Sequence, residues 1–440
     1  MTDKKASRGI FPGWWIILTS GFLTSWGHGF YTQGFSALFT PIATDLHLNR
    51  AVTSVAASIG RLEGGFEAPV IGWVTDKYGP KWVIMFGAFL IGSGLVLMWF
   101  VDSIWTFYLV WGVVLGTGMN AGLTIPLDKA ISNWFVRKRG MALSIRALMQ
   151  GLATIAVLPL VTWLIGEIEW RLTCVVGGAT MLLVGLPLIW IFIKQQRPEY
   201  YGLLPDGAKN KEESIGDTNR MINRGVEYAA DVLEYEFTLR QALKTKAYWL
   251  VTIAWMAGNL AIMPLTVHFM PFLTDMGITP VKAAFMLSIA GIASIPTRLI
   301  IGLLADRVRK QYMRLLPLVA FLIIAVAILC YQLVQTVAMA QAFLILYYIG
   351  FTASIFLYTA VVVRYFGRKS LGSIQGTTTL IMMPFGVIAP VYVGWIFDRT
   401  GSYSIAFNLF IGLLLLAAIL ILFARPPRPP ELVSDIRKFL

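Results

Sequence analysis

Arg298 lies within the stretch SIAGIASIPTRLIIGLLADRVRK, residues 288–310, where apolar residues flank a charge that physiological pH does not remove. Counting back from Asp306 at ~1.5 Å per helical residue puts Arg298 about 12 Å inside an apolar helix, near the middle of a hydrocarbon core about 30 Å thick. An ionisable group at that depth costs at least ~2.5 kcal/mol, so it must face a wet cavity or a partner. Its planar fork matches a carboxylate. Two readings follow: a ligand for an organic anion, or one half of an interhelical ion pair. A second constellation lies earlier in the chain, with Arg61, Glu63 and Glu67 in one apolar run, Asp128 and Lys129 in another and Arg146 in a third. Glu63 and Glu67 are four residues apart and share one helix face. Two carboxylates so close in a low dielectric call for a shared proton or a cationic partner, and Arg146 is the expected partner. The cluster either couples protons or ties helices together.

Weaker candidates surround these. His28, in the small-residue context Trp26-Gly27-His28-Gly29, and His268 are lone histidines in apolar runs, suited to hydrogen bonding or to proton exchange. Tyr31, Asn120, Gln150, Asn259, Tyr347, Tyr358 and Gln375 carry groups able to hydrogen-bond a substrate hydroxyl or keto oxygen. The two cysteines, Cys174 and Cys330, match no metal-ligand spacing and read as packed thiols.

The elements that must position these groups are membrane helices. The chain has 440 residues, 57% hydrophobic and 13% charged, too apolar for an ordinary soluble domain. Runs long enough to span a bilayer fall roughly at 13–38, 50–75, 80–101, 104–131, 139–165, 170–194, 247–274, 280–305, 311–332, 336–363, 370–397 and 402–424. This predicts an all-α membrane protein of twelve transmembrane helices. The start of the chain has no small-residue cleavage site before the first run, so that run is expected to be retained. The formal net charge of +13 does not point to nucleic acid. Its Lys and Arg crowd into alternate short loops, as the positive-inside rule requires, which predicts a multi-pass protein of the cytoplasmic membrane with both termini cytoplasmic.

A polar segment carrying Pro198 and Pro205 divides the spans six and six. The domain reading is residues 1–194 as an amino-terminal bundle, 195–246 as a cytoplasmic linker with a short surface helix, 247–424 as a carboxy-terminal bundle and 425–440 as a tail. The halves are self-similar at an offset of about 230 residues: Gly72-Trp73-Val74-Thr75-Asp76-Lys77 matches Gly302-Leu303-Leu304-Ala305-Asp306-Arg307, Trp134-Phe135 matches Tyr365-Phe366, and Pro159 matches Pro390. Two duplicated six-helix bundles with a site near the midplane are a transporter plan. Gly112, Gly116 and Gly118 stripe the fourth run and predict close helix approach. Asp76, just past a helix end, suits the positive N-terminus of a neighbouring helix and would hold one conformation closed.

Gly72-x-x-x-Asp76-Lys77-x-Gly79-x-Lys81 resembles the loop 2–3 signature of the major facilitator superfamily; in the second half, around Asp306 and Arg307, it is degenerate, with Arg309 in place of the second glycine. Further residues resemble its branch of monocarboxylate porters and oxalate/formate antiporter-like proteins: Arg61-Leu62-Glu63-Gly64-Gly65, Asn133-Trp134-Phe135, Arg137-Lys138-Arg139-Gly140, Val267-His268, Arg197-Pro198-Glu199, Leu204-Pro205-Asp206-Gly207 and Pro296-Thr297-Arg298. The resemblance covers the whole chain and implies two pseudo-symmetric bundles with Gly72, Asp76, Lys77, Gly79, Lys81, Asp306 and Arg307 in conformational gating. It implies Arg298 as carboxylate ligand. Two departures bear on mechanism: Ser294 replaces the carboxylate that animal members carry four residues before this Arg, and no Lys lies between Thr377 and Ile396, where the oxalate-type branch has one. The second departure favours monoanions.

No Walker A loop, HExxH or GxSxG elbow is present, so neither an enzyme nor a metal or cofactor site is expected. The expected function is carriage of a small organic monocarboxylate by alternating access with proton symport, by a monomer in membrane lipid. Exchange of organic anions is the alternative, and a non-transporting sensor is a more distant one.

Overall fold

The computed structural model describes residues 11–48, 50–208, 218–230, 235–332, 334, 336–400 and 404–428. All regular structure among the described residues is helical. The reason is physical: a chain surrounded by hydrocarbon must satisfy its backbone N–H and C=O groups within each segment. The helices form twelve successive spans. The first runs Pro12–Gly27, through a π-helical stretch His28–Gln33, into Gly34–Asp45. The second is Arg50–Tyr78, the third Pro80–Leu97 and the fourth Ile104–Trp134. The fifth and sixth share Arg139–Phe192, broken at Glu169, whose φ of 65° and ψ of 165° interrupt the helix. Then come Lys246–Asp275, an eighth span in two pieces, Pro280–Ala293 and Ile295–Arg307, and Leu315–Tyr331, Val337–Phe366, Leu371–Thr400 and Ser404–Phe423. Pro12, Pro80, Pro126, Pro280 and Pro296 open helical segments, where a missing N–H costs nothing.

Among the described residues, eight stretches are long and apolar enough to cross a bilayer, counting Arg139–Phe192 once. Large apolar side chains stand outward along the spans, among them Phe66, Trp105 and Leu183 at 66, 76 and 75% exposure. In water such a surface would aggregate; in a bilayer it is the lipid face.

The contacts divide the chain into two units, residues 1–63 with 77–231 and residues 64–76 with 232–440. The second span is thus shared, and its residues 64–76 count with the second unit. In the first unit, Phe30, Phe107, Trp111, Trp134 and Phe135 are almost fully buried. Its third span is held by glycines. A Cβ on Gly118 would lie 2.9 Å from the Ile91 nitrogen, and Gly87 and Gly122 approach backbone to backbone. Gly112 and Gly116 face the second span, with Ile59 and Gly60 opposite. The glycine stripe of the fourth span therefore serves two neighbours. The second unit packs around Trp255, Phe321, Tyr347, Tyr365, Phe366 and Phe410.

The connecting segment is more structured than a polar linker. It holds single turns at Pro198–Tyr201 and Pro205–Gly207, a helix Thr218–Ala230, and the short helix Leu239–Leu243, opened by a Thr238/Gln241 capping box. Cys174 is buried, but Cys330 is exposed, which corrects the reading of two packed thiols. Cys330 continues the outward face of the ninth span marked by exposed Val319, Leu322, Val326 and Leu329.

Candidate functional site

In the first unit, three spans converge on Gly60. A Cβ there would overlap the Tyr31 hydroxyl, and the Gly60 carbonyl accepts a hydrogen bond from Asn120 Nδ2 at 3.1 Å. Glu63, one turn along, accepts from Thr117 Oγ1 at 2.9 Å. Tyr31 lies in the π-helical stretch of the first span and stacks on Trp111, ring centroids 5.4 Å apart. His28 opens the same stretch and shares a hydrogen bond with Thr32 Oγ1 at 3.1 Å. A π-helical stretch widens the turn and is common where side chains are presented for function. Glu63, Tyr31, Asn120 and His28 are all half-buried, so the group is polar without being sealed.

Arg146 does not pair with a carboxylate of the second span as expected. It forms an ion pair with Asp128, and both side chains are 14% exposed. A break in the fourth span is the reason. Thr124, at φ −114° and ψ −101°, ends one helical segment and starts another, Ile125–Trp134, placing Asp128 in its first turn. A carboxylate is favoured there by the helix dipole. Arg146 also lies close enough to His28 for its charge to act on the ring. Lys129 is buried. The side chains of Arg61 and His268 lie outside those described.

In the second unit, the eighth span breaks at Ser294, whose hydroxyl donates to the Gly291 carbonyl at 2.7 Å. Arg298 is half-buried in the first turns of the segment that follows. Tyr358 packs on Trp255, centroids 5.6 Å apart, and Trp255 Nε1 donates to the Ser354 carbonyl. Buried Gln375 donates to Thr359 Oγ1 at 3.1 Å. Tyr347 is fully buried and donates to the Ile262 carbonyl, which marks it as a packing group. Asn259 is half-buried and makes no side-chain hydrogen bond among the described residues. Glu67 is half-buried in the portion of the second span that counts with this unit. A groove of about 620 Å³ lies elsewhere, between the start of the eighth span and that of the tenth, lined by Lys282, Phe285, Met286 and Gln341 among others.

The signature loop is explained by contacts. Asp76 Oδ1 accepts from the Gly372 N–H at 3.1 Å and Oδ2 from the Ser373 N–H at 2.7 Å, at the start of the eleventh span. Gly72 and Gly372 touch backbone to backbone, so the glycine four residues before Asp76 lets the helices come close enough for that bond. Gly79 has φ +86°, a conformation side chains resist. Its repeat counterpart, Arg309, has φ −61°, so the second turn needs no glycine and the motif is free to decay there. Lys77 and Arg307 are exposed, Lys81 and Asp306 half-buried.

Several participants were not anticipated from sequence: Thr117 and Thr359, which hold candidate side chains, and Asp206. Asp206 sits at φ 62° in the connecting segment and accepts from the N–H groups of Val136, Arg137 and Lys138 at 3.2, 2.8 and 3.0 Å. The Tyr228 hydroxyl donates to it at 3.1 Å, and the Arg137 guanidinium lies 4.2 Å from the centroid of the Tyr228 ring. The Leu204-Pro205-Asp206-Gly207 stretch carried that signal, since an acidic residue followed by glycine in a proline turn often presents its carboxylate to backbone.

Comparison with known proteins agrees with this architecture. Residues 21–390 match the family model of the Major Facilitator Superfamily. The human protein named monocarboxylate transporter 12 is 26% identical over 441 residues, covering 97% of this chain and 84% of its own. The Bos taurus monocarboxylate transporter 13 is 26% identical over 434 residues, covering 96% and 93%. Among solved structures, the proton:xylose symporter XylE superposes with a TM-score of 0.69 at 13% identity, covering 94% of this chain and 96% of that one. The twelve-span architecture, its two units and the match to the family model over most of the sequence place the chain in the major facilitator superfamily of membrane transporters.

Proposed function

We propose that the chain carries a small organic monocarboxylate across the cytoplasmic membrane by alternating access, with proton symport, both termini being cytoplasmic. The observation that carries this reading is Arg298, a permanent fork-shaped cation half-buried just past a break in an apolar span. Relatives named monocarboxylate transporters at 26% identity support the substrate class. Arg298 binds the carboxylate; Asn259, Tyr358 and Gln375 in the same unit, and His28, Tyr31, Asn120 and Arg146 in the first, contribute polar contacts. Glu63 and Glu67 exchange the proton, with Arg61, Asp128, Lys129 and His268 as the surrounding charges. Asp76, bound to the start of the eleventh span, acts as a gate latch with Gly72, Lys77, Gly79, Lys81, Asp306 and Arg307.

A second reading, exchange of organic anions without net proton movement, draws on Ser294. It stands where a carboxylate would accept the proton on this helix, and its hydroxyl is engaged by the Gly291 carbonyl.

The test is uptake and counterflow in proteoliposomes with a panel of labelled monocarboxylates, oxalate and a neutral sugar. Monocarboxylate uptake enhanced by an inward proton gradient, and impaired in Arg298→Lys despite the kept charge, is the expected result. Exchange indifferent to the gradient would establish the second reading, and unchanged uptake in Arg298→Lys would remove Arg298 from the substrate site.

A further inference from the structure

Two lysines of the first unit converge on one helix end. Lys81 Nζ donates to the Trp190 carbonyl at 2.7 Å, and Lys194 Nζ donates to the Ile191 carbonyl at 3.1 Å. Those carbonyls belong to the last turn of the helix Leu186–Phe192. The two accepting carbonyls belong to consecutive residues, which brings both ammoniums to the same helix end. Among the described residues, no carboxylate pairs with either lysine.

The electrostatics are therefore unbalanced. A helix C-terminus offers a partial charge of about −0.5, against two full positive charges. Lys81 is also the second residue of the helix Pro80–Leu97, where its own helix dipole is unfavourable to a cation. Each ammonium has further N–H donors beyond the bond it makes.

The surroundings are aromatic and outward-facing. The Lys81 ammonium lies 4.5 Å from the centroid of the Trp190 ring, and that ring meets the Trp82 ring edge-on at 5.9 Å. Trp82 and Trp190 are 48 and 57% exposed. Trp15, 40% exposed, stacks on Phe192 at 5.1 Å and extends the shelf. Indoles at a span end sit at the level of lipid headgroups and the glycerol backbone.

We infer that the Lys81–Lys194 pair and the Trp82–Trp190 shelf form a binding site for the headgroup of an anionic phospholipid. The phosphate sits between the two ammoniums, and the glycerol and first acyl methylenes lie across the indoles. The basic loops cluster at this end of the spans, and anionic leaflets attract such clusters.

The experiment uses the full chain in native mass spectrometry, counting retained phosphatidylglycerol in competition with an equal amount of phosphatidylcholine. The wild type is expected to retain phosphatidylglycerol roughly tenfold better than Lys81→Gln/Lys194→Gln, given two lysines at an anionic surface. Lys81→Arg/Lys194→Arg should keep the lipid, as should Lys282→Gln, which removes a charge elsewhere. Should the double Gln variant fail to fold, Lys194→Gln alone, beyond the helix end, is expected to lose retention severalfold. Equal retention of the two lipids by the wild type, no loss in the Gln variants, or an equal loss in Lys282→Gln would overturn the site. Displacement of the lipid by glycerol 3-phosphate alone would also overturn it, because the site would then be one for soluble phosphate. None of these readings needs a transport substrate, so the outcome is independent of the proposed monocarboxylate chemistry.

Discussion

The fifth and eleventh spans begin at equivalent points of the duplicated chain, after matching basic turns, yet two unrelated carboxylates hold their starts. Backbone donors leading into the fifth span, from Val136 to Lys138, are taken by Asp206 of the connecting segment. Those opening the eleventh, Gly372 and Ser373, are taken by Asp76 of the second span. The chemistry is the same, a charge-assisted bond to otherwise unpaired N–H groups. The bearings differ. Asp206 lies on a short irregular segment that belongs wholly to the first unit, with Tyr228 and Arg137 stacked over it. Asp76 lies on the one helix that both units share. Duplication supplied two like helix ends; their fastenings came from different places, one from an irregular connecting segment and the other from a span.

The largest break in this comparison is expected from Gly372→Val. The added side chain has no room against the Gly72 backbone, and overpacking of this kind costs typically ~1–3 kcal/mol. It should lower both the melting temperature and transport, read by thermal unfolding in detergent and uptake in vesicles. Gly79→Ala comes next, because φ +86° with ψ 158° is nearly closed to side chains; a loss of ~1–3 kcal/mol is expected, while Arg309→Gly in the repeated turn should change stability by less than ~1 kcal/mol. A matched pair then separates the two fastenings. Asp206→Asn should lower stability by ~1–2 kcal/mol with transport rate per folded molecule nearly unchanged, whereas Asp76→Asn should alter the transport rate more than the melting temperature. Equal effects of the two on rate would erase the distinction. The smallest expected change is from Tyr228→Phe, which removes one hydrogen bond to Asp206 but keeps the ring under Arg137, at ~0.5–1.5 kcal/mol.

Much of this architecture was legible in the sequence because a bilayer imposes a length on every span. Apolar runs such as 80–101 and 247–274 lie within a few residues of helices Pro80–Leu97 and Lys246–Asp275. The breaks inside spans were not legible. Thr124 and Ser294 sit in stretches whose hydropathy does not change, and the backbone there turns for local reasons that an apolar run does not register; the break at Glu169, by contrast, falls in the charged gap between the runs 139–165 and 170–194. That is why Arg146 was matched to the wrong carboxylate: a regular fourth span would not have presented Asp128 to it in the first turn of a new segment. Asp76 was readable as a helix-end ligand from its place after a glycine-bearing helix turn. Asp206 was readable only in part: its proline turn marks a carboxylate presented to backbone, but only the fold shows which backbone, 68 to 70 residues back along the chain.

The glycine contacts of the third span have a mechanical meaning. Where Gly87 meets Gly122, backbone lies on backbone with no long side chain between to flex or change rotamer, and Gly178 abuts the Gly92 carbonyl with Leu182 and Val96 packed beside it. Such a seam has little elastic slack, and tightly packed interiors pass strain on rather than absorb it. The third span, regular from Pro80 to Leu97, therefore behaves as a stiff beam with the facing parts of the fourth and sixth clamped to it. Compliance in the first unit is left to the π-helical stretches, at His28–Gln33 and Ala153–Val157 and, within the fourth and sixth spans, at Tyr108–Leu115 and Met181–Gly185, where the hydrogen-bond ladder departs from its regular register.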